Sequence, residues 1–250
     1  MILSHRHRFL FIHCRKAAGS SVAVSLARYL GPADLQLSAI RDAASFGIAA
    51  PLRTQLATVQ PPRLRAFVRV LRGQQPWSDH VARAIKARHR QHLGAHPDHA
   101  PAAAVRAAFP QAWQHYWKFC IVRNPWDKTL SDYRWRTRER ADPPSFATYV
   151  EALHAGDDLG GIVPTHHDNW DLYTIDDRIA VDHVVRFEDL ADGLAAACRE
   201  AGLAWDGWLP HSKRSRTEAH GHYRDGYTER HARMIGDLYA REIDAFGYRF

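Results

Sequence analysis

The chain has 250 residues with 46% hydrophobic side chains, enough for an ordinary buried core and too apolar for wholesale disorder. Its formal charge of +7 favours anionic partners in general, or simply a basic, soluble surface. Three scattered cysteines (Cys14, Cys120 and Cys198) without a CxxC pair argue against a disulfide framework and a structural zinc site, and no apolar run reaches the ~20 residues of a membrane span.

Phe9–Ile12, within the run Arg8–His13, reads as a short buried strand, too short for a secretion signal, so the chain reads as cytoplasmic. Abundant Ala and Arg point to a bacterial source. Ser20–Leu30 follows with Val22, Leu26 and Tyr29/Leu30 at helical spacing, closed by Gly31-Pro32. The chain thus opens strand, tight loop, helix, the first unit of an α/β fold. Residues 33–98 read as a helical insertion on the acceptor side of a single 1–250 domain. This stretch includes the basic residues Arg63, Arg65, Arg69 and Arg72 and a cationic helix over Val81–His92. Ala100–Phe109 reads as a helix stopped by Pro110. Tyr116–Val122 is a second buried strand, with Cys120 inside it as Cys14 is inside the first. Asn124 caps and Pro125 starts a helix running to about Glu139. Phe146–His154 is helical, and Gly160-Gly161 is a loop. Ile179–Phe187 is a strand, and Glu188 starts a helix ending near Gly202. Thr228–Phe246 is one amphipathic helix with Ile235, Tyr239 and Ile243 on its apolar face.

Two loops at strand ends carry the chemistry. In Arg15-Lys16-Ala17-Ala18-Gly19-Ser20-Ser21 a helix start offers backbone N–H groups and a positive dipole end to an anion. Small side chains let the backbone approach, Ser20 and Ser21 add hydroxyls, and Lys16 adds a mobile charge. The lysine precedes the glycine, so this is not the G-x-x-x-x-G-K-[ST] phosphate loop. In the second loop Arg123 stands at a strand end, where its fork suits a phosphate, and Ser131 follows two helical turns on. Without further context an ordinary βα turn explains the first loop, and pairing of Arg123 with a nearby carboxylate explains the second.

Together the two loops resemble the sulfotransferases that use 3′-phosphoadenylyl sulfate (PAPS). The first is similar to their P-K-T-[AG]-G-[TS]-S loop, and Val122-Arg123-Asn124-Pro125-Trp126-Asp127-Lys128 to the V-R-N-P-[WY]-[DE]-[RK] of the carbohydrate-type subgroup. Val185–Leu190, Leu209-Pro210-His211, Tyr223–Tyr227 and Phe246–Phe250 extend the likeness, which covers roughly residues 9–30 and 99–250. Arg15 stands where the family has proline, Ala17 where it has threonine, and Cys14 where a larger apolar residue is usual.

The resemblance implies a P-loop-like three-layer sandwich, a central, mostly parallel sheet flanked by helices. It also implies transfer of a sulfuryl group from PAPS to a hydroxyl, with a glycan acceptor and adenosine 3′,5′-bisphosphate as product. Lys16 would stabilise the leaving 5′ phosphate, held also by residues Ala18, Gly19, Ser20 and Ser21. Arg123 and Ser131 would hold the 3′ phosphate, with no metal. His99, in His99-Ala100-Pro101, is the implied base, with His96 second and His166, His167 and Asp168 weaker. Lys213 and Arg214 are further cations for phosphate or acceptor, and Trp126, Tyr133 and Trp135 are core residues unless one stacks on adenine. The rival readings are a P-loop-type nucleotide kinase, with Asp182 its only comparably placed acid, and a nucleotide-binding homologue without catalysis. No motif supports nucleic-acid binding.

Overall fold

A computed structural model describes residues 1–59, 73, 76–210 and 222–250. The expectations placed on Arg63, Arg65, Arg69, Arg72, His211, Lys213 and Arg214 lie outside the described residues. In chain order the main elements begin with β1 (Ile2–Ser4), β2 (Phe9–Ile12), α1 (Gly19–Ala27), β3 (Leu35–Gln36) and α2 (Trp77–Leu93). There follow α3 (Ala102–Ala108), α4 (Pro110–His115), β4 (Trp117–Val122), α5 (Pro125–Thr137) and α6 (Phe146–Ala155). The chain closes with β5 (Thr174–Ile175), β6 (Arg178–Ile179), β7 (His183–Arg186), α7 (Leu190–Glu200), α8 (Glu229–Leu238) and α9 (Ala240–Phe246). They fall into two compact units, residues 1–122 with 171–213, and 123–170 with 214–250.

The first unit is built on a five-stranded sheet in the order β3-β1-β2-β4-β7, flanked by helices. It is mixed rather than mostly parallel: β1 pairs antiparallel with β2 and β3, while β2, β4 and β7 run parallel. The chain therefore opens on a hairpin, not on the strand–loop–helix unit. All four residues of β2 are buried, as a strand paired on both edges demands, and Phe11 faces Phe119 across the β2–β4 pair with ring centroids 5.2 Å apart. Each such ring contributes roughly 1.5–3 kcal/mol by leaving water. The fully buried Asp34 ties the hairpin to the end of α1. Its carboxylate accepts from Ser4 Oγ (2.8 Å), His5 N (2.6 Å), Arg6 N (3.1 Å) and Gly31 N (2.8 Å).

Several boundaries differ from the sequence reading. Cys14 is buried but lies beyond β2, in the loop. α3 ends at Ala108, before Pro110 as expected, and Pro110 in addition starts α4, where its missing N–H costs nothing. The expected strand over 179–187 is two pieces, β6 and β7. The 33–98 stretch, besides helices, supplies β3 to the sheet.

In the second unit α5 begins as expected. The Asn124 side chain accepts from Trp126 N (3.1 Å) and Pro125 occupies the first turn. Trp126 is its anchor: the indole Nε1–H donates to Ala232 O (2.8 Å) of α8, and the Trp126 carbonyl accepts from Tyr227 Oη (2.8 Å). The expected single helix over 228–246 is broken at Tyr239 (φ −116°, ψ 23°) into α8 and α9. The break sets the buried Glu242 3.6 Å from the buried Lys128 ammonium, which lies 4.2 Å from the Tyr239 ring centroid. Among the described residues, no helix is long and apolar enough to cross a membrane.

Candidate active site

β2 and β4 are parallel neighbours, with Ile12 opposite Cys120, so both end on one edge of the sheet. In α/β sheets that carboxyl edge is where ligands bind. The chain leaves β2 through a loop whose backbone is unusual. Lys16 (φ 61°) and Ala18 (φ 56°) both take the left-handed conformation without being glycine. Such a residue costs about 1–2 kcal/mol, so surrounding structure must impose it. Ala18 is the cap of α1, and its carbonyl accepts from Val22 N (3.1 Å). A left-handed residue leading directly into a helix start turns successive N–H groups toward one concavity, a setting that suits an anion. Lys16, Ser20 and Ser21 are partly buried around it, whereas Ala17 is fully buried. Ala17 therefore contributes packing here, not a hydroxyl at the surface.

Gly19 is needed for a reason other than its own φ. A Cβ there would fall 2.0 Å from His13 Cδ2 and 2.4 Å from His13 Nε2. The His13 ring covers the start of α1, stacked on Phe11 (6.0 Å) on one contact and meeting His99 (4.5 Å) on another. His99 arrives from the one-turn helix Pro97–His99 and bonds back through Nδ1 to the His13 carbonyl at 2.7 Å. A carbonyl oxygen only accepts, so Nδ1 carries the proton and Nε2 of the neutral ring holds the lone pair. Burial pushes the His99 pKa down to about 4, against the pull of the neighbouring Asp98. The ring is thus neutral at pH 7 with Nε2 able to accept a proton.

Asp98 lies 3.8 Å from His99 Nε2 and is itself gripped by Lys86 Nζ of α2 at 2.6 Å. Burial opposes ionisation of Asp98, but His99 and Lys86 outweigh it and hold the carboxyl below its usual value. The sequence reading missed His13, Lys86 and Asp98. Only the glycine at 19, which must make room for something, gave a sign of the first. His96 is exposed; its carbonyl accepts the His99 N–H (2.8 Å).

At the second motif, Arg123 Nε donates to Asp127 Oδ2 at 2.7 Å, one helical turn on, so the carboxylate pairing is present. Ser131 is partly buried on α5. Asn124 joins segments distant in sequence: its Nδ2 lies 3.3 Å from Tyr223 Oη and donates to Arg249 O at 3.2 Å. Trp126 is core, while the Tyr133 hydroxyl donates to Pro144 O (2.9 Å). Trp135, expected in the core, is 41% exposed, with Arg138 over its ring at 4.6 Å. His166 is exposed. His167 packs edge-on against Tyr239 (5.3 Å), burial lowering its pKa, and Asp168 pairs with Arg241 at 3.4 Å, so these two serve the packing of the second unit. Asp182 lies just before β7, not inside it, and is bound by Lys118 Nζ (2.8 Å) and Lys118 N (2.7 Å). Among the described residues no group of three His, Cys, Asp or Glu side chains is arranged to hold a metal.

The chain matches no protein-family model, no characterised protein and no solved structure.

Proposed function

We propose that the protein is a sulfotransferase that uses PAPS as donor and a carbohydrate hydroxyl as acceptor. The parallel β2–β4–β7 part of the sheet is read as the core of a P-loop-like sandwich. The observation that supports this best is the 2.7 Å bond from His99 Nδ1 to the His13 carbonyl. It ties the histidine singled out as base to His13, 86 residues away and two residues before the loop singled out for phosphate, and leaves Nε2 as the basic atom.

The donor set suits the cosubstrate: a lysine, two serines and helix-start amides for one phosphate, and an arginine and a serine for another. PAPS supplies an activated sulfuryl group. His99 Nε2 takes the proton of the attacking hydroxyl as its oxygen bonds to sulfur. The bond from sulfur to the phosphate oxygen breaks in line, and the negative charge left on the 5′ phosphate is met by Lys16 and the amides of residues 18–21. By the resemblance, Arg123 and Ser131 are the residues that would hold the 3′ phosphate, which identifies the nucleotide without taking part in bond making. Asp98 raises the basicity that burial removes from His99 and balances the imidazolium formed on proton uptake.

The test has two arms. Adenosine 3′,5′-bisphosphate should stabilise the protein against heat, by ~2.7 kcal/mol at about 100 times its Kd, and ATP with Mg²⁺ far less. Labelled sulfate should pass from PAPS to one or more members of a glycan panel. Stabilisation by ATP–Mg²⁺ in place of the bisphosphate would turn the reading to a kinase. Bisphosphate binding without transfer to any glycan, alcohol or phenol would leave a nucleotide-binding homologue.

A further inference from the structure

A second concavity lies in the first unit at the other edge of its sheet, where β4 begins. Arg106 of α3, Trp113 of α4 and the β5–β6 hairpin, with Ile175, Asp176, Arg178 and Ile179, line a groove of about 410 Å³. That is the size of a site for one small ligand. Its position follows from Lys118, the second residue of β4, whose ammonium lies 5.8 Å from the Trp113 ring centroid and whose carbonyl accepts from Asp182 N. The hairpin turn is tight: Asp176 (φ 52°) and Asp177 (φ 61°) are both left-handed, so Ile175 and Arg178 are held in fixed register.

The polar groups of this groove are not spent on one another. The side chains of Arg106, Arg178 and Asp176 are exposed and make no ion pair or hydrogen bond among the described residues, in contrast to Lys118 and Asp182 close by. Two guanidinium forks call for an anionic group. The Asp176 carboxylate can only accept hydrogen bonds, so it calls for donors such as hydroxyls and repels a bare anion. The Trp113 ring and the two isoleucines offer apolar contact to a flat-faced body. A simple phosphate would satisfy the arginines alone, and an aromatic carboxylate would leave Asp176 facing like charge. We infer that the groove binds an acidic pyranose, a sugar ring bearing a carboxylate or sulfate, with the anion on Arg106 and Arg178, hydroxyls on Asp176 and one ring face on Trp113. This holds whether or not the chain transfers sulfuryl groups.

Methyl glucuronide, methyl glucoside and benzoate serve as probes, read by chemical-shift change of the Trp113 indole N–H, assigned with Trp113→Phe. Methyl glucuronide should give a saturable shift. Arg106→Ala and Arg178→Ala should each weaken it about tenfold or more, as loss of a charge-assisted hydrogen bond does, and methyl glucoside should bind weaker by a similar factor. Asp176→Asn should weaken the glucuronide and not benzoate. All three substitutions are at exposed positions, and an unchanged circular dichroism spectrum checks the fold. Absence of a saturable shift with methyl glucuronide overturns the inference. Equal binding by both arginine variants, or benzoate binding as well as the glucuronide, does the same.

Discussion

In the loop after β2, two non-glycine residues hold left-handed backbone, a histidine ring occupies the space a Cβ at Gly19 would need, and a second histidine is bonded across from 86 residues away. In the segment after β4 the backbone is set locally: Asn124 caps, Pro125 starts the helix and Arg123 pairs with Asp127 one turn on, while Asn124 Nδ2 and Trp126 Nε1 add bonds to Arg249 O and Ala232 O. The first loop is shaped by its surroundings against its own preferences. The second takes the shape its own residues prefer. Imposed backbone of the first kind persists only where packing over-determines it, and such places cluster at sites that act on ligands. On the function proposed above, the chemical step falls to the first loop and recognition to the second.

The largest expected effect breaks or keeps that division. Lys16→Ala should lower kcat for sulfuryl transfer by on the order of 10²–10³, the scale for removal of a transition-state donor. Arg123→Ala should mainly raise the Kd for adenosine 3′,5′-bisphosphate, by about tenfold or more. A Lys16→Ala enzyme of normal kcat, or an unchanged Kd in Arg123→Ala, undoes the assignment.

Next comes the histidine that braces the first loop. His99 is held neutral, with its pKa near 4, whereas in the unfolded chain it titrates near 6.5. Below that value the unfolded chain binds a proton that the folded chain refuses. His99's contribution to stability is thus complete above pH 6.5 and falls by on the order of 3 kcal/mol as pH drops toward 4. Urea unfolding from pH 7 to 4.5 should show a shallower loss in His99→Gln than in the parent; equal slopes contradict the half-buried, neutral assignment. The same ring predicts that the acid limb of kcat/KM lies below the usual histidine range.

Gly19→Ala should destabilise by roughly 1–3 kcal/mol, because the new methyl meets His13 and the ring must move. Loss of the His13–His99 contact by NMR, with transfer falling alongside, is the expected companion; a neutral substitution would mean that His13 yields freely. The smallest pair sharpens the contrast directly. Ala18→Gly should stabilise by about 1 kcal/mol by relieving the left-handed strain, whereas Asn124→Ala should cost about 1 kcal/mol through the lost cap. Thermal unfolding of the two proteins should shift in opposite directions.

The same contrast explains what could be read in the sequence. β2, α1, β4, α5, α6 and α7 all carried local signals, a short apolar run or helical spacing with a cap or a breaker at the ends, and they form close to where those signals stand. β1 was missed because three residues before a charged turn carry too little pattern, and its pairing is set by tertiary contacts such as Asp34. The helix expected to stop at Pro110 does end at Ala108, but α4 was missed because proline both closes one helix and suits the first turn of the next. The break at Tyr239 is set by packing around Lys128 and Glu242, which no periodicity reports. At the candidate site the residue types at Lys16, Gly19 and His99 stood in the sequence, but the bond that brings His99 to the end of β2 runs to the backbone carbonyl of His13, and a carbonyl has no signature in sequence.

Asp34 has a consequence for how α1 can respond to anything that binds at its head. With four donors from Ser4, His5, Arg6 and Gly31 on one carboxylate, the tail of this helix is welded to the hairpin behind it. Ser25, in the last turn of the helix, adds a rivet, its hydroxyl donating to Trp208 O and accepting from Trp205 Nε1. These bonds hold the C-terminal part of the helix from two sides, whereas its head continues into the loop that carries the left-handed Lys16 and Ala18.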